Sequence, residues 1–147
     1  MSRNPTSLLL VLIQSLMLAF LFLNGPVIPT TLFIGLLEIG GIILMFWAIW
    51  TMRTTTFQIT PDLAPESVLI INGPYSFIRH PMYTGLLLIV IALLFNAVDT
   101  LRVTAALVLL VAILIKAGIE ENQLEKRFGK DYKEYEKKTK RFIPFVY

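Results

Sequence analysis

The chain has 147 residues, of which 56% are hydrophobic and 16% charged, and its mean hydropathy is +0.72, too apolar for an ordinary soluble domain. It contains no cysteine and one histidine, which excludes disulfides and thiolate catalysis and leaves too few ligands for a zinc site, so no metal is expected. The net charge is only +3, and its basic residues are interleaved with acids beside apolar runs, so no nucleic-acid partner is expected.

Four apolar runs predict an all-α polytopic membrane protein with about four transmembrane helices and a cytoplasmic helical cap at the C-terminal side. The first run, residues 8–23, is entered through Asn4-Pro5-Thr6-Ser7 and stopped by Asn24-Gly25-Pro26. It makes about 24 Å of helix, slightly short of a hydrocarbon core unless its flanks join in. A weak basic start and the lack of a small-residue cleavage site mark it as a retained helix. The second run, 32–52, spans comfortably. It carries Gly35, Gly40 and Gly41, which let a neighbouring helix approach closely, and Trp47 and Trp50, which fit an interface belt. It also carries Glu38, a carboxylate costly at that depth. Pairing with Lys116 or Arg53 is the expected explanation, a position at the wet edge of a cavity the alternative. The third and fourth runs, 83–98 and 103–117, are joined by a polar turn at Asp99-Thr100 and predict a helical hairpin.

Charge placement orients these spans. With four spans, one side holds Arg3, Arg53, Arg79, Lys116 and the basic residues between Lys126 and Arg141, and only Arg102 lies opposite. The positive-inside rule puts both termini and the 53–82 loop in the cytoplasm, and the 25–31 loop and the Asp99-Thr100 turn outside. In a prokaryote this is the inner or plasma membrane.

After Ala117 the run Glu120-Glu121-Asn122-Gln123-Leu124-Glu125 reads as a helix that has left the lipid. Gly129 is its expected C-cap. Residues 131–140 predict a second, amphipathic helix with Tyr132 and Tyr135 on one face, and Arg141-Phe142-Ile143-Pro144-Phe145 returns to the membrane surface. Taken alone, such a tail anchors on anionic lipid.

The segment Gly73-Pro74-Tyr75-Ser76-Phe77-Ile78-Arg79-His80-Pro81-Met82-Tyr83-Thr84-Gly85 concentrates an Arg, the single His and two Tyr where water meets lipid. Each residue has an ordinary structural explanation. His80 can cap the third helix, Tyr75 and Tyr83 can be belt aromatics, Glu120-Glu121 can be a solvated face, and Lys116 can snorkel.

Taken together, however, Gly73-Pro74-Tyr75, Arg79-His80-Pro81-x-Tyr83-x-Gly85, Glu120-Glu121, Phe128-Gly129-x-x-Tyr132-x-x-Tyr135 and Pro144-Phe145 form an ordered set. The set resembles the isoprenylcysteine carboxyl methyltransferase and phospholipid methyltransferase superfamily of integral membrane enzymes. The resemblance covers residues 67–145; the first two helices carry no such pattern. It implies a single methyltransferase domain over 1–147, with an N-terminal hairpin at 8–52 and a cofactor-binding part at 67–147. It also implies S-adenosylmethionine (SAM) as methyl donor, contacted by Ser67, Val68, Leu69, Ile70, Tyr75, His80, Pro81, Met82, Tyr83 and Glu120. Lys116 stands where members acting on prenylcysteine have an Arg linked to the substrate, and Ser67 where a His often stands.

The residue types fit that chemistry. Glu120 can hold the cofactor ammonium. Arg79, or the helix start after Pro81, can face its carboxylate, and Tyr75 or Tyr83 can stack on adenine or lie near the sulfonium. Gly73 and Pro74 would turn the loop back over the cofactor. Arg79 and Lys116 are the expected acceptor-side residues. The acceptor is expected to be lipophilic or membrane-partitioned, with a carboxylate, a phospholipid amine and a thiol all open. The alternative is a small non-catalytic membrane protein with an interfacial polar anchor.

Overall fold

The computed structural model describes residues 5–53 and 68–144. In chain order these form α1 (Pro5–Leu23), α2 (Leu32–Met52), a 3-10 turn (Gly73–Ser76), α3 (Pro81–Asn96), α4 (Thr100–Phe128) and α5 (Lys130–Lys138). Helices α1, α2 and α4 are long and apolar enough to cross a bilayer, and α3 is a shorter apolar helix of 16 residues. The chain is thus an all-α polytopic membrane protein. Proline in the first turn of a helix costs no hydrogen bond, so Pro5 is compatible with its place in α1. Its 19 residues give about 28 Å, which removes the shortfall of the apolar run alone.

Helix α2 starts from Thr31, whose hydroxyl accepts a hydrogen bond from Ile34 N at 3.4 Å. Its buried residues Ile34, Gly41 and Ala48 recur every seven positions and form one stripe against α3. The crossing is set by a pair of glycines. A Cβ at Gly41 would lie 2.6 Å from Gly85 O, and one at Gly85 would lie 2.6 Å from Gly41 O. Of the three α2 glycines, Gly41 alone makes this approach: Gly40 faces open space and Gly35 meets only the Pro29 ring.

The α3–α4 turn is capped by Asp99, whose Oδ1 accepts from Leu101 N at 2.8 Å and Arg102 N at 3.0 Å. From there α4 runs unbroken past Ala117, carrying an apolar portion and the Glu120-Glu121 pair on one rod. Small residues Ala105, Ala106, Ala112 and Ala117 let it pack closely. The core joins Leu109 and Ile113 of α4, Ile89, Val90 and Leu93 of α3, Leu21 of α1 and Phe142 of the C-terminal segment.

Arg102 is not a solvated loop charge. It is 1% exposed and spends its guanidinium on backbone carbonyls: Nε on Ala97 O at 2.9 Å, Nη1 on Leu21 O at 2.9 Å and Nη2 on Leu93 O at 2.6 Å. Leu21 and Leu93 lie in the last turns of α1 and α3, where carbonyls lack helical partners. Gly25 is required beside it, since a Cβ there would meet Nη1 at 1.9 Å.

Glu38 does not pair as expected. Lys116 bonds Gln14 instead, and the Arg53 guanidinium lies 3.4 Å over the Trp50 ring. Glu38 is half-buried, with no ion-pair partner among the described residues.

Candidate active site

The polar cluster forms where the start of α3, the charged end of α4 and the C-terminal segment meet. Gly73 adopts φ +60, a left-handed conformation open to glycine, and Pro74 follows it in the 3-10 turn. Ser76 Oγ closes the turn onto Gly73 O at 2.7 Å. Just beyond the turn, Ile78 pairs with Lys140 in an isolated parallel bridge. Lys140 N donates to Phe77 O at 3.2 Å, Arg79 N to Lys140 O at 2.7 Å, and His80 N to Arg141 O at 3.1 Å. Thr84 Oγ1 adds a bond to Phe142 O at 2.9 Å. The C-terminal segment is therefore stitched to the Arg79-His80 step through backbone.

Neighbouring carboxylates on α4 point about 100° apart and take different partners. Glu121 Oε1 accepts from Arg79 Nε at 3.0 Å and lies 3.1 Å from His80 Nε2, while its Oε2 lies 2.9 Å from Arg141 Nη2. Glu120 accepts the Tyr83 hydroxyl through Oε1, and its Oε2 lies 3.4 Å from His80 Nδ1. Glu121 is thus spanned by two guanidinium groups, whereas Glu120 is held by a phenol and an imidazole and remains one-quarter exposed.

His80 sits between both acids, stacked on Tyr83 with ring centroids 5.6 Å apart and against Phe142 at the same distance. Burial disfavours its imidazolium, but hydrogen bonds and charge from Glu120 and Glu121 outweigh that, so its pKa is raised above 6.5. Burial, then the charge of Glu120, pushes the Tyr75 hydroxyl well above the ordinary phenol range.

Helix α5 covers this cluster. Tyr135 Oη donates to Tyr75 O at 2.8 Å, and Thr139 Oγ1 to Tyr135 O at 2.8 Å. Arg79 reaches it too, through Thr139 O at 3.0 Å, Glu136 O at 3.3 Å and the Glu136 carboxylate at 3.6 Å. Two buried polar atoms here lack a hydrogen bond among the described residues: Tyr132 Oη and Arg141 Nε. Burial and the Glu121 charge push the Tyr132 hydroxyl up.

Of the residues singled out from sequence, Arg79, His80, Tyr83 and Glu120 come together within one bonded network. Tyr75 is tied to it through Tyr135 and the field of Glu120. Pro81 is buried as the first residue of α3, with Met82 half-buried beside it. Val68, Leu69 and Ile70 lead into the 3-10 turn, Val68 being exposed, and Ser67 lies outside the described residues. Lys116 does not snorkel toward water. It is 2% exposed, its Nζ lies 2.6 Å from Gln14 Oε1 of α1, and it stands 5.3 Å from the Tyr83 ring centre.

The sequence reading passed over Glu121 as the hub, Arg141 as its second cation, and Gln14. Gln14 had a legible signal: it is the single amide, with no charged residue, between Pro5 and Leu23. Arg141 had none, because its partner is distant in sequence.

Residues 30–131 match the sequence model of the phospholipid methyltransferase family. Two curated relatives, the probable protein-S-isoprenylcysteine O-methyltransferases of Oryza sativa subsp. indica and subsp. japonica, are each 31% identical over 111 residues. The match covers 74% of this chain and 57% of each relative, so the chain spans little more than half the length of these relatives.

Proposed function

From the premise that this chain belongs to the phospholipid methyltransferase family, we propose that it transfers a methyl group from SAM to a lipophilic or membrane-partitioned acceptor. The observation that carries the reading is the unequal treatment of two adjacent carboxylates. Glu121 is consumed by Arg79, His80 and Arg141, while Glu120 is positioned by Tyr83 and His80 and still partly open. An acid fixed in this way suits a cationic ligand group better than a structural counter-ion does.

The residues present fit the cofactor on a second count. SAM carries an ammonium and a sulfonium but also a carboxylate, and the cluster holds two buried, unsatisfied donors, Tyr132 Oη and Arg141 Nε. Buried donors without partners are costly, and a carboxylate would satisfy them. In this reading Glu120 holds the ammonium, Tyr132 and Arg141 face the carboxylate, and Tyr75, His80, Pro81, Met82 and Tyr83 line the cofactor with the 67–70 backbone. When bound, SAM supplies an electrophilic methyl group. The chain's own residues then orient and desolvate: His80 and Tyr83 fix Glu120, the apolar portions of α3 and α4 next to the cluster exclude water, and α5 covers it. Positioning of this kind supplies a large part of the rate of a bimolecular transfer. Arg79 and Lys116 remain the proposed acceptor-side residues, Arg79 through its hold on the network and Lys116 at the lipid level.

The proposed orientation keeps the cluster and both termini cytoplasmic. The burial of Arg102 on carbonyls supports it, since the opposite turns then expose no basic side chain among the described residues. Cysteines replacing Thr30 and exposed Lys133 should label from opposite sides of intact cells; labelling from one side refutes the orientation.

The functional test combines binding and turnover. Glu120→Gln should weaken SAM binding by about 1.5–3 kcal/mol, the range for a hydrogen bond to a charged group, with folding retained. Incubating membranes with methyl-labelled SAM should place label in the lipid extract. Absence of SAM binding by calorimetry on the folded wild type would instead support the anchor reading.

A further inference from the structure

We propose that Gln14 of α1 is a positioning and specificity residue, forming with Lys116 a subsite at lipid depth for the anionic group, phosphate or carboxylate, of an amphiphilic acceptor. This rests on the methyl-transfer reading and extends it to a helix that lies outside the family match over residues 30–131.

A lone amide in an apolar span is costly unless it is hydrogen-bonded. Gln14 meets that cost with a cation: its Oε1 lies 2.6 Å from Lys116 Nζ. Side chains on a helix lean toward its N-terminus, and Lys116 extends into the bundle, 2% exposed, beside Gln14 and the Tyr83 ring. There it has no ion-pair partner among the described residues. An ammonium carries three donors; the amide takes one, and the Tyr83 ring at 5.3 Å adds a weak cation–π attraction. The Glu120 carboxylate acts on this ammonium through space without bonding it, so a desolvated charge whose hydrogen-bond partner here is a neutral amide is far from its best environment, a directly bonded anion.

Two further features make this a site and not a packing accident. Tyr83 joins it to the cofactor cluster, since its ring faces Lys116 and its hydroxyl is bonded to Glu120. Gln14 is half-exposed on α1, so a group arriving from the bilayer meets it before reaching Lys116. An anion can draw the ammonium away from the amide oxygen, and the Gln14 amide then has its NH2 free to donate. A neutral headgroup cannot make that exchange. Gln14 therefore holds Lys116 ready and sets the preference for acidic amphiphiles.

The test uses the full chain in non-ionic detergent, with thermal shift and calorimetry. The probes are decanoate and dihexanoyl phosphatidate, their neutral counterparts decanol and dihexanoylglycerol, and inorganic phosphate. The wild type should be stabilised by the two anionic amphiphiles and by none of the others. Gln14→Glu supplies a near-isosteric carboxylate that pairs with Lys116. It should weaken both anionic amphiphiles tenfold or more while SAM affinity changes less than twofold. Gln14→Asn keeps the amide and should retain part of the binding, which covers the case in which Gln14→Glu fails to fold. Affinities within twofold of wild type in both variants, whatever their melting temperatures, would reduce Gln14 to a structural residue and overturn the proposal. Equal binding of inorganic phosphate and phosphatidate would also overturn it, by placing the anion site in water. Loss of anion binding in Gln14→Glu with no methyl transfer in the wild type would leave the subsite standing and remove the enzyme reading. Methyl transfer with unchanged anion affinity would do the reverse.

Discussion

Two arginines, Arg102 and Arg79, hold opposite ends of the bundle, and both are withdrawn from solvent, yet they are stitched in different ways. Arg102 gives its donors to three backbone carbonyls near the ends of α1 and α3. Arg79 gives its donors to a carboxylate shared with His80 and Arg141 and to carbonyls of the α5 end. The first arrangement satisfies groups that lipid cannot and contains nothing that titrates near neutrality. The second is built from side chains whose charge depends on pH and on what binds. The same residue type thus makes a fixed clamp at one end and an adjustable network at the other. The adjustable end is the one proposed to hold the ligand.

The largest expected effect comes from breaking the clamp. Arg102→Met keeps the length but strands the carbonyls of Leu21, Leu93 and Ala97. It should cost about 3–5 kcal/mol, the range for dismantling a buried charged network, read as an earlier unfolding midpoint in a detergent–denaturant titration. Gly25→Ala should report on the same clamp, since its Cβ collides with Nη1 at 1.9 Å. A wild-type midpoint for Arg102→Met would mean that water or lipid headgroups satisfy those carbonyls.

Next in size is the hub of the other end. Glu121→Gln leaves Arg79 and Arg141 facing a neutral amide, and should cost about 2–3 kcal/mol. It should also loosen the C-terminal segment, read as faster proteolysis beyond Thr139. Sequence reasoning ranked Glu121 below Glu120 for the cofactor. The structure separates the two roles, so Glu121→Gln should lower stability more than Glu120→Gln does. Equal stability losses would erase the distinction between hub and open acid.

The two ends should also differ in pH response. His80 is faced by Glu120 and Glu121 from α4, Arg141 from the C-terminal segment, Tyr83 from α3 and its neighbour Arg79. Its pKa is raised in the folded state, so the stability it contributes is fully present below its ordinary value near 6.5. That stability is lost as pH rises through the raised folded value. Unfolding midpoints measured upward from pH 6 should fall over that window in the wild type and less steeply in Glu121→Gln, whereas Arg102→Met should keep the wild-type slope. A flat wild-type profile would refute the charged His80.

What could be read from sequence follows this same division. Hydropathy placed all four apolar helices, because burial in lipid is a property of composition, and the break at Gly129 was legible from glycine at a helix C-cap. The Asp99-Thr100 turn and the Pro81 start were legible because capping is local. The ordered motifs located Arg79, His80, Tyr83 and Glu120. Long-range partnerships were not legible. Nothing near Arg102 announces Leu21 O, nothing near Arg141 announces Glu121, and three α2 glycines look alike until the crossing at Gly85 selects Gly41. For Lys116 the sequence supports both an acceptor-side role and simple snorkelling, because its depth is visible there, while its direction depends on Gln14 in another helix.

The smallest effect tests whether distance or burial decides the worth of an ion pair here. Lys133 Nζ and Glu125 Oε1 are 3.0 Å apart, the same distance as Arg79 Nε and Glu121 Oε1. The side chains of the first pair are 61% and 49% exposed, those of the second 12% and 17%. Water screens the exposed pair, and ordering two long side chains costs entropy that nearly cancels the attraction. Lys133→Ala should therefore change stability by less than about 0.5 kcal/mol, with no change in pH profile or SAM affinity. The pair bridges the Gly129 break between α4 and α5, so it also asks whether the cap over the cluster is held by charge at its hinge. The Tyr135–Tyr75 bond and the Ile78–Lys140 bridge hold it more deeply. If Lys133→Ala instead loosened α5 as much as Glu121→Gln does, the hinge would be the fastening, and burial would not be what separates the two pairs.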